Sequence, residues 1–66
     1  MMYTVKQARL LADKTQTEMA AEMGISRDTY RNIEHNPARA TIVQAYKIAA
    51  LTQIPLDQIF FASNST

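Results

Sequence analysis

Residues Gln16–Glu34 read QTEMAAEMGISRDTYRNIE, and this stretch decides the fold. Apolar residues at helical spacing, Met19-Ala20-Met23 on one side and Tyr30-Ile33 on the other, flank Gly24-Ile25-Ser26. A join of three residues between two helices of about eight residues each forces a sharp angle between them. Ala20 stands where the helices cross most closely, so a larger side chain would push them apart. Gly24 begins the turn, where the left-handed backbone conformation is cheapest without a Cβ. Ser26 caps the second helix. Asn36-Pro37 stops it, because a residue before proline avoids helical angles. The spacing predicts helices over 16–23 and 27–34 in helix-turn-helix geometry.

Three cap signatures extend this pattern outward. Thr4 with Gln7, Thr15 with Glu18 and Thr41 with Gln44 each place a hydroxyl three residues before an amide or carboxylate, so that the two side chains satisfy free backbone N–H groups. They predict further helices over 5–13 and 42–52. Pro55 suits the first turn of a fifth, over 55–61. With one glycine, two prolines and no strict alternation of apolar and polar residues, the chain reads as all-α, a compact five-helix domain over 1–62 with a frayed polar tail at 63–66. Each helix is too short to persist alone, so all share one core. Its candidates are Val5, Leu10, Met19, Ala20, Met23, Ile25, Tyr30, Ile33, Ile42, Ala45, Ile48, Ala49, Ile54, Leu56 and Ile59. Met19 and Met23 read as gap-filling core thioethers rather than a ligand site.

Sixty-six residues allow one small domain. Without cysteine, neither disulfides nor thiolate ligands staple the fold, and a lone histidine cannot assemble a His-rich zinc site. No apolar run exceeds four residues, far below the roughly 20 of a membrane span. Met1-Met2-Tyr3-Thr4 lacks the pattern of a secretory signal, so the expectation is a cytoplasmic chain. No acid–base pair, nucleophile–base pair or phosphate-cradling glycine loop points to an enzyme, and no cofactor, metal, membrane or small-molecule ligand is expected. The net charge of +1 is too small to argue for a polyanion by itself. Its placement is more informative: Arg27, Arg31, Arg39 and Lys47 outweigh Asp28 and Glu34, whereas acids and bases balance over residues 1–26.

The sequence resembles the lambda-repressor-like helix-turn-helix family of bacterial and phage regulators, also called the Cro or xenobiotic-response-element family. Val5-Lys6 and Arg9, Gln16-Thr17-Glu18-Met19-Ala20, Gly24-Ile25-Ser26, Ile33-Glu34, Lys47-Ile48-Ala49 and Ile54-Pro55-Leu56-Asp57-Gln58-Ile59-Phe60 carry the likeness, over roughly residues 4–61. The resemblance implies five helices and binding to a double-stranded DNA operator. Three departures stand out. Lys14 replaces a usual apolar residue, Thr52 replaces a usual leucine, and Asp28 sets a negative charge on the helix that would read DNA.

The geometry of residues 27–34 agrees independently. At 100° per residue Tyr30 and Ile33 lie about 60° apart on a buried side, with Arg27, Asp28, Arg31 and Asn32 on the opposite arc. Eight residues rise about 12 Å, close to the width of the major groove. Two guanidinium forks suit guanine O6/N7, an amide suits adenine N6/N7, and a carboxylate can accept from cytosine N4. These four are the base-reading candidates; the plainer alternative is a solvated surface. The candidates for phosphate contact are Thr15, Gln16, Thr17, Ser26, His35, Asn36 and Arg39. The helix starting at Gln16 presents free N–H groups and a positive dipole end, and relatives place a glutamine there for a phosphate. In relatives, too, the loop of His35, Asn36 and Arg39 runs beside the DNA backbone, and the positions of Arg9 and Glu34 form an ion pair, read here as mainly structural. His35 reads as a loop residue rather than a metal ligand or general base.

Leu56, Ile59, Phe60 and Phe61 put more apolar surface on the fifth helix than inward packing requires. They are the candidate homodimer interface, with Phe60 or Phe61 outward; the alternative is a monomer that closes its own core with both. The functional expectation is a small sequence-specific transcriptional regulator, of repressor type, on a near-palindromic operator. The rival is a helix-turn-helix-shaped module, such as an antitoxin, whose main partner is another protein.

Overall fold

A computed structural model describes residues 1–62, and the expected frayed tail at 63–66 lies outside them. Four α-helices follow in order: α1 (Val5–Leu11), α2 (Gln16–Met23), α3 (Arg27–His35) and α4 (Ile42–Thr52). Short 3-10 turns, Pro37–Arg39 and Leu56–Gln58, lie between α3 and α4 and after α4. α1, α2 and α4 each start in a reciprocal cap. Thr4, Thr15 and Thr41 accept from the N–H of Gln7, Glu18 and Gln44, whose side chains accept in turn from the cap N–H groups at 2.8–2.9 Å. Ser26 caps α3, accepting from the Thr29 N–H at 3.1 Å.

α1 stops two residues before the expected end. Asp13 turns left-handed (φ 59°), and the Lys14 N–H closes back on the Arg9 carbonyl at 3.2 Å. An aspartate tolerates that conformation, so no glycine marks the stop. Gly24 ends α2 with φ 72°.

The core is Val5, Ala8, Met19, Ala20, Met23, Tyr30, Ile33, Ile48 and Ile59. α3 packs chiefly on α2, and α4 lies behind both α1 and α2. Of the expected core residues, Ile25, Ala49 and Ile54 are partly buried against it and Ala45 and Leu56 are half-buried, Leu10 and Ile42 are exposed, and the buried Ala8 was not expected. α1 buries Val5, Ala8 and Arg9, which places Leu10 on the far side, 56% exposed. Ile42, the first residue of α4, lies about 120° around the helix from the buried Ile48 and is 74% exposed. Thr52, in place of the usual leucine, is buried with its hydroxyl donating to the Ile48 carbonyl at 2.8 Å.

The fifth helix is absent. Pro55 takes an extended ψ of 141°, the chain makes only the turn Leu56–Gln58, and Ile59 is extended. Ile59 forms a parallel bridge with Tyr3: the Tyr3 N–H donates to the Gln58 carbonyl and the Phe60 N–H to the Tyr3 carbonyl, both at 2.8 Å. Pairing with the N-terminal segment satisfies these backbone groups where a helix of under two turns would leave most of its end groups open. No strand occurs among the described residues beyond this isolated bridge.

Candidate nucleic-acid interface

α3 separates two chemistries along its length. Tyr30 and Ile33 are buried, whereas Arg27, Asp28, Arg31 and Asn32 are all exposed on the opposite edge. The short join through Gly24 and the cap at Ser26 set the angle at which α2 presents this edge. Arg31 and Asp28 approach only to 4.0 Å, with side chains 52% and 80% exposed, and such a pair is worth little in water. The base-reading candidates are thus brought together on one free edge.

The C-terminal end of α3 is built differently. The Glu34 carboxylate accepts from Arg9 Nε at 2.7 Å and Tyr30 Oη at 2.6 Å on one oxygen, and from Gln16 Nε2 at 3.0 Å and Arg9 Nη2 at 3.4 Å on the other. Arg9 Nη1 also donates to the Lys14 carbonyl at 2.9 Å. One carboxylate therefore ties together α1, α2 and α3. Burial pushes Glu34 up, but the hydrogen bonds from Arg9, Tyr30 and Gln16 and the charge of Arg9 outweigh it and hold the group below its ordinary range. The bond to Glu34 raises Arg9 further, and burial first, then the bond to Glu34, pushes the Tyr30 phenol well up. Arg9 and Glu34 form an ion pair with side chains only 9% and 6% exposed.

Around this knot lie most of the phosphate candidates. Gln16 spends one amide N–H on Glu34, which leaves the second for a ligand. The backbone N–H groups of Gln16 and Thr17 have no carbonyl one turn earlier to bond. Thr15 itself is occupied, its hydroxyl and N–H both engaged with Glu18. The Ser26 hydroxyl is likewise engaged, donating to Thr29 Oγ1 at 2.8 Å. His35, Asn36 and Arg39 are exposed at and after the end of α3. A cleft of about 230 Å³ joins Gln16, Glu34 and His35 to Lys6 of α1.

Two residues at this end of α3 leave little trace in the sequence. Tyr30 counted only as an apolar contact, although its spacing of four from Glu34 on one helix was the available signal. Lys6 carried no local signal, because its place beside Gln16 depends on how α1 crosses α2. The apolar cluster at the C-terminus also changes. Ile59 is 3% exposed and belongs to the protomer core, so it is withdrawn as an interface residue, while Leu56, Phe60 and Phe61 are half-buried. The large exposed apolar side chains are instead Met1, Met2, Leu10 and Leu11 near the N-terminus and Ile42, Val43 and Tyr46 on α4.

Among the described residues no cluster of His, Cys, Asp or Glu could hold a metal ion, and no helix is long and apolar enough to cross a membrane. No curated protein and no solved structure matches the chain. A model of the helix-turn-helix family does match, over residues 5–59, from the start of α1 through the turn after α4. The chain therefore belongs to the XRE/lambda-repressor-like helix-turn-helix family of DNA-binding transcription regulators.

Proposed function

We propose that this protein is a sequence-specific repressor, of phage, mobile-element or toxin–antitoxin type, that acts in the cytoplasm by occupying promoter DNA. The observation that carries this reading is the free polar edge of α3 on a helix whose other side is buried and anchored. Arg31 and Arg27 read guanine, Asn32 reads adenine, and Asp28 accepts from cytosine or orients a neighbouring arginine. Gln16, with the N–H groups of Gln16 and Thr17, holds one phosphate; His35, Asn36 and Arg39 lie along the same strand, and Thr15 and Ser26 act by capping the helices. The modest net charge supports binding that leans on oriented amides and on two-fold symmetry more than on bulk attraction.

The protein works as a homodimer, its two α3 helices about 34 Å apart on a near-palindromic operator. Leu56, Phe60 and Phe61 contribute to the seam, without Ile59. Selection of bound duplexes from a random pool tests the whole reading: two inverted half-sites about one helical turn apart are expected, and a pool that returns no preferred sequence overturns it. Sedimentation at micromolar concentration, with and without the selected duplex, tests the dimer, and a strict monomer in both removes it. The exposed Ile42, Val43 and Tyr46 favour one rival, a module that docks on another protein. That rival requires partner binding to survive loss of Arg27 and Arg31.

A further inference from the structure

We infer that a second copy of this chain docks by seating the outer face of its α4 in an apolar groove along α1. The contact needs no DNA and goes beyond the regulator reading. The groove, of about 400 Å³, is lined by Met1, Met2, Tyr3, Gln7, Leu10 and Leu11, so no charged side chain faces it. α1 turns Val5, Ala8 and Arg9 inward, which leaves Leu10 and Leu11 exposed on the side away from the core. The matching ridge is on α4. Ile48 and Thr52 face the core, while Ile42, Val43, Tyr46 and Ala50 are exposed on the opposite arc, and Lys47 is the one charged residue of the helix. A surface helix is polar on its outer side; one that is apolar on both sides is ordinarily covered on both, and no described residue covers this one. No residue of α4 lines the groove, so the ridge of a chain does not fill its own groove.

Three matches favour a second copy as the occupant. The first is size: at about 30 Å³ per water the groove takes roughly a dozen water-sized groups, and the side chains of Tyr46 and Ile42 together carry about that many heavy atoms. The second is charge. Neither surface carries an acid, and Lys47, at the edge of the ridge, turns its ammonium to the Met23 carbonyl at 3.5 Å, so burying ridge in groove strands no ion. The third is a hydrogen bond. Gln7 spends its Oε1 on the Thr4 N–H, which leaves its amide N–H groups free to donate to the Tyr46 hydroxyl, the one polar side-chain group of the ridge. The two surfaces are small beside the roughly 20–30 residues a side of a stable interface, so the contact is weak in free solution and gains where copies are already held close. Ridge and groove are unlike surfaces. Each contact therefore leaves a free ridge on one copy and a free groove on the other, to which further copies add.

The test uses two full-length variants that each spoil one surface, Leu10→Glu in the groove and Val43→Glu on the ridge. Both side chains are exposed, so both variants should melt with the wild type; if either unfolds, Leu10→Gln and Val43→Thr make the same comparison. Isotope-labelled Val43→Glu has an intact groove and a spoiled ridge. Adding unlabelled Leu10→Glu, whose ridge is intact, at sub-millimolar concentration should shift the amide resonances of Met2, Leu10 and Leu11. Adding unlabelled Val43→Glu should not, its apparent affinity being at least about tenfold lower, or about 1.4 kcal/mol. Labelled Leu10→Glu should respond in the reciprocal way, at Val43, Tyr46 and Ala50, to unlabelled Val43→Glu alone. Equal groove shifts with both unlabelled variants overturn the inference, because the groove would then meet some surface other than the ridge. Groove resonances that stay in place in every mixture overturn it as well, and leave both surfaces to partners other than this chain. The seam proposed at Leu56, Phe60 and Phe61 is intact in all the mixtures and cancels from the comparison, and with DNA absent neither result touches the regulator reading.

Discussion

The two edges of α3 are made of similar residues and behave in opposite ways. On the inner edge Tyr30 and Glu34 are polar groups with every partner supplied: Tyr30 is fully buried, and Glu34 takes four hydrogen bonds from three residues. On the outer edge Arg27, Asp28, Arg31 and Asn32 have almost none, the one approach between them being the 4.0 Å pair of Asp28 and Arg31. The difference lies in water. A buried polar group must find its partner within the fold, because leaving it unmet costs about 1–3 kcal/mol, while an exposed one is solvated at no cost. The inner edge can thus fix the helix, and the outer edge can wait for a ligand. A helix held by a carboxylate knot at one end and a capped turn at the other keeps its orientation while its outer side chains stay exposed and almost without partners.

Truncation should separate the edges most sharply. Tyr30→Ala removes a fully buried ring and the phenol that bonds Glu34, and large aromatic truncations of this kind cost about 3–5 kcal/mol. Small domains have only about 5 kcal/mol to lose, so the variant should be largely unfolded by circular dichroism at 25 °C. Arg31→Ala, one residue on, should change stability by less than about 0.5 kcal/mol. Similar melts for the two variants would erase the distinction.

A smaller effect, about 1–3 kcal/mol, is expected for Glu34→Gln, which leaves the Arg9 guanidinium without its countercharge. Here the direction with pH is fixed. Glu34 is held below its ordinary value of 4.5, so its ionised form stabilises the fold above that pH, and the contribution is lost as pH falls through the lower, folded value. The gap between wild type and Glu34→Gln should therefore be full at neutral pH and close in acid below 4.5; a gap that widens there would reverse the assignment.

On the outer edge the expected effects are on binding. Arg31→Ala should weaken the selected operator by about 1–3 kcal/mol and relax preference at one position. Gln16→Ala should weaken every duplex alike. Equal loss on all sequences in both variants would show that the outer edge reads no bases.

These edges differ in how far the sequence discloses them. The outer edge and the three reciprocal caps were legible because each rests on residues three or four apart on one helix. The knot at Glu34 was legible only in part: Arg9 came through the family resemblance, while Gln16 and Tyr30 as partners did not. A hydrogen bond from Gln16 to Glu34 spans two elements and leaves no local pattern. The same limit explains the segment after Pro55. Leu56, Ile59 and Phe60 have helical spacing, but the backbone partner that draws Ile59 into an extended bridge is Tyr3, at the opposite end of the chain. Leu10 and Ile42 are apolar yet exposed, since counting hydrophobic residues does not say which face of a helix is covered.

The smallest effect concerns two helix ends that share a backbone conformation with different residues. Gly24 closes α2 with φ 72°, and Gln53 closes α4 with φ 59°. A side chain in this region costs about 1 kcal/mol that glycine avoids, partly offset by the greater freedom glycine has when unfolded. Gln53→Gly should therefore stabilise the protein by about 0.5 kcal/mol, and Gly24→Ala should destabilise it by about 1 kcal/mol. No atom lies within 4 Å of where a Cβ on Gly24 would stand, so the second cost is conformational and not a clash. The pair also bears on α3. Gln53 ends α4, which packs chiefly on α2 and α1 and not on α3, so Gln53→Gly should raise the melting temperature and leave operator affinity alone. Gly24 sets the angle between α2 and α3, so Gly24→Ala should cost operator affinity beyond what its loss of stability explains. If affinity follows stability alone in both variants, the turn merely joins the two helices, and the orientation of the outer edge comes from the knot at Glu34.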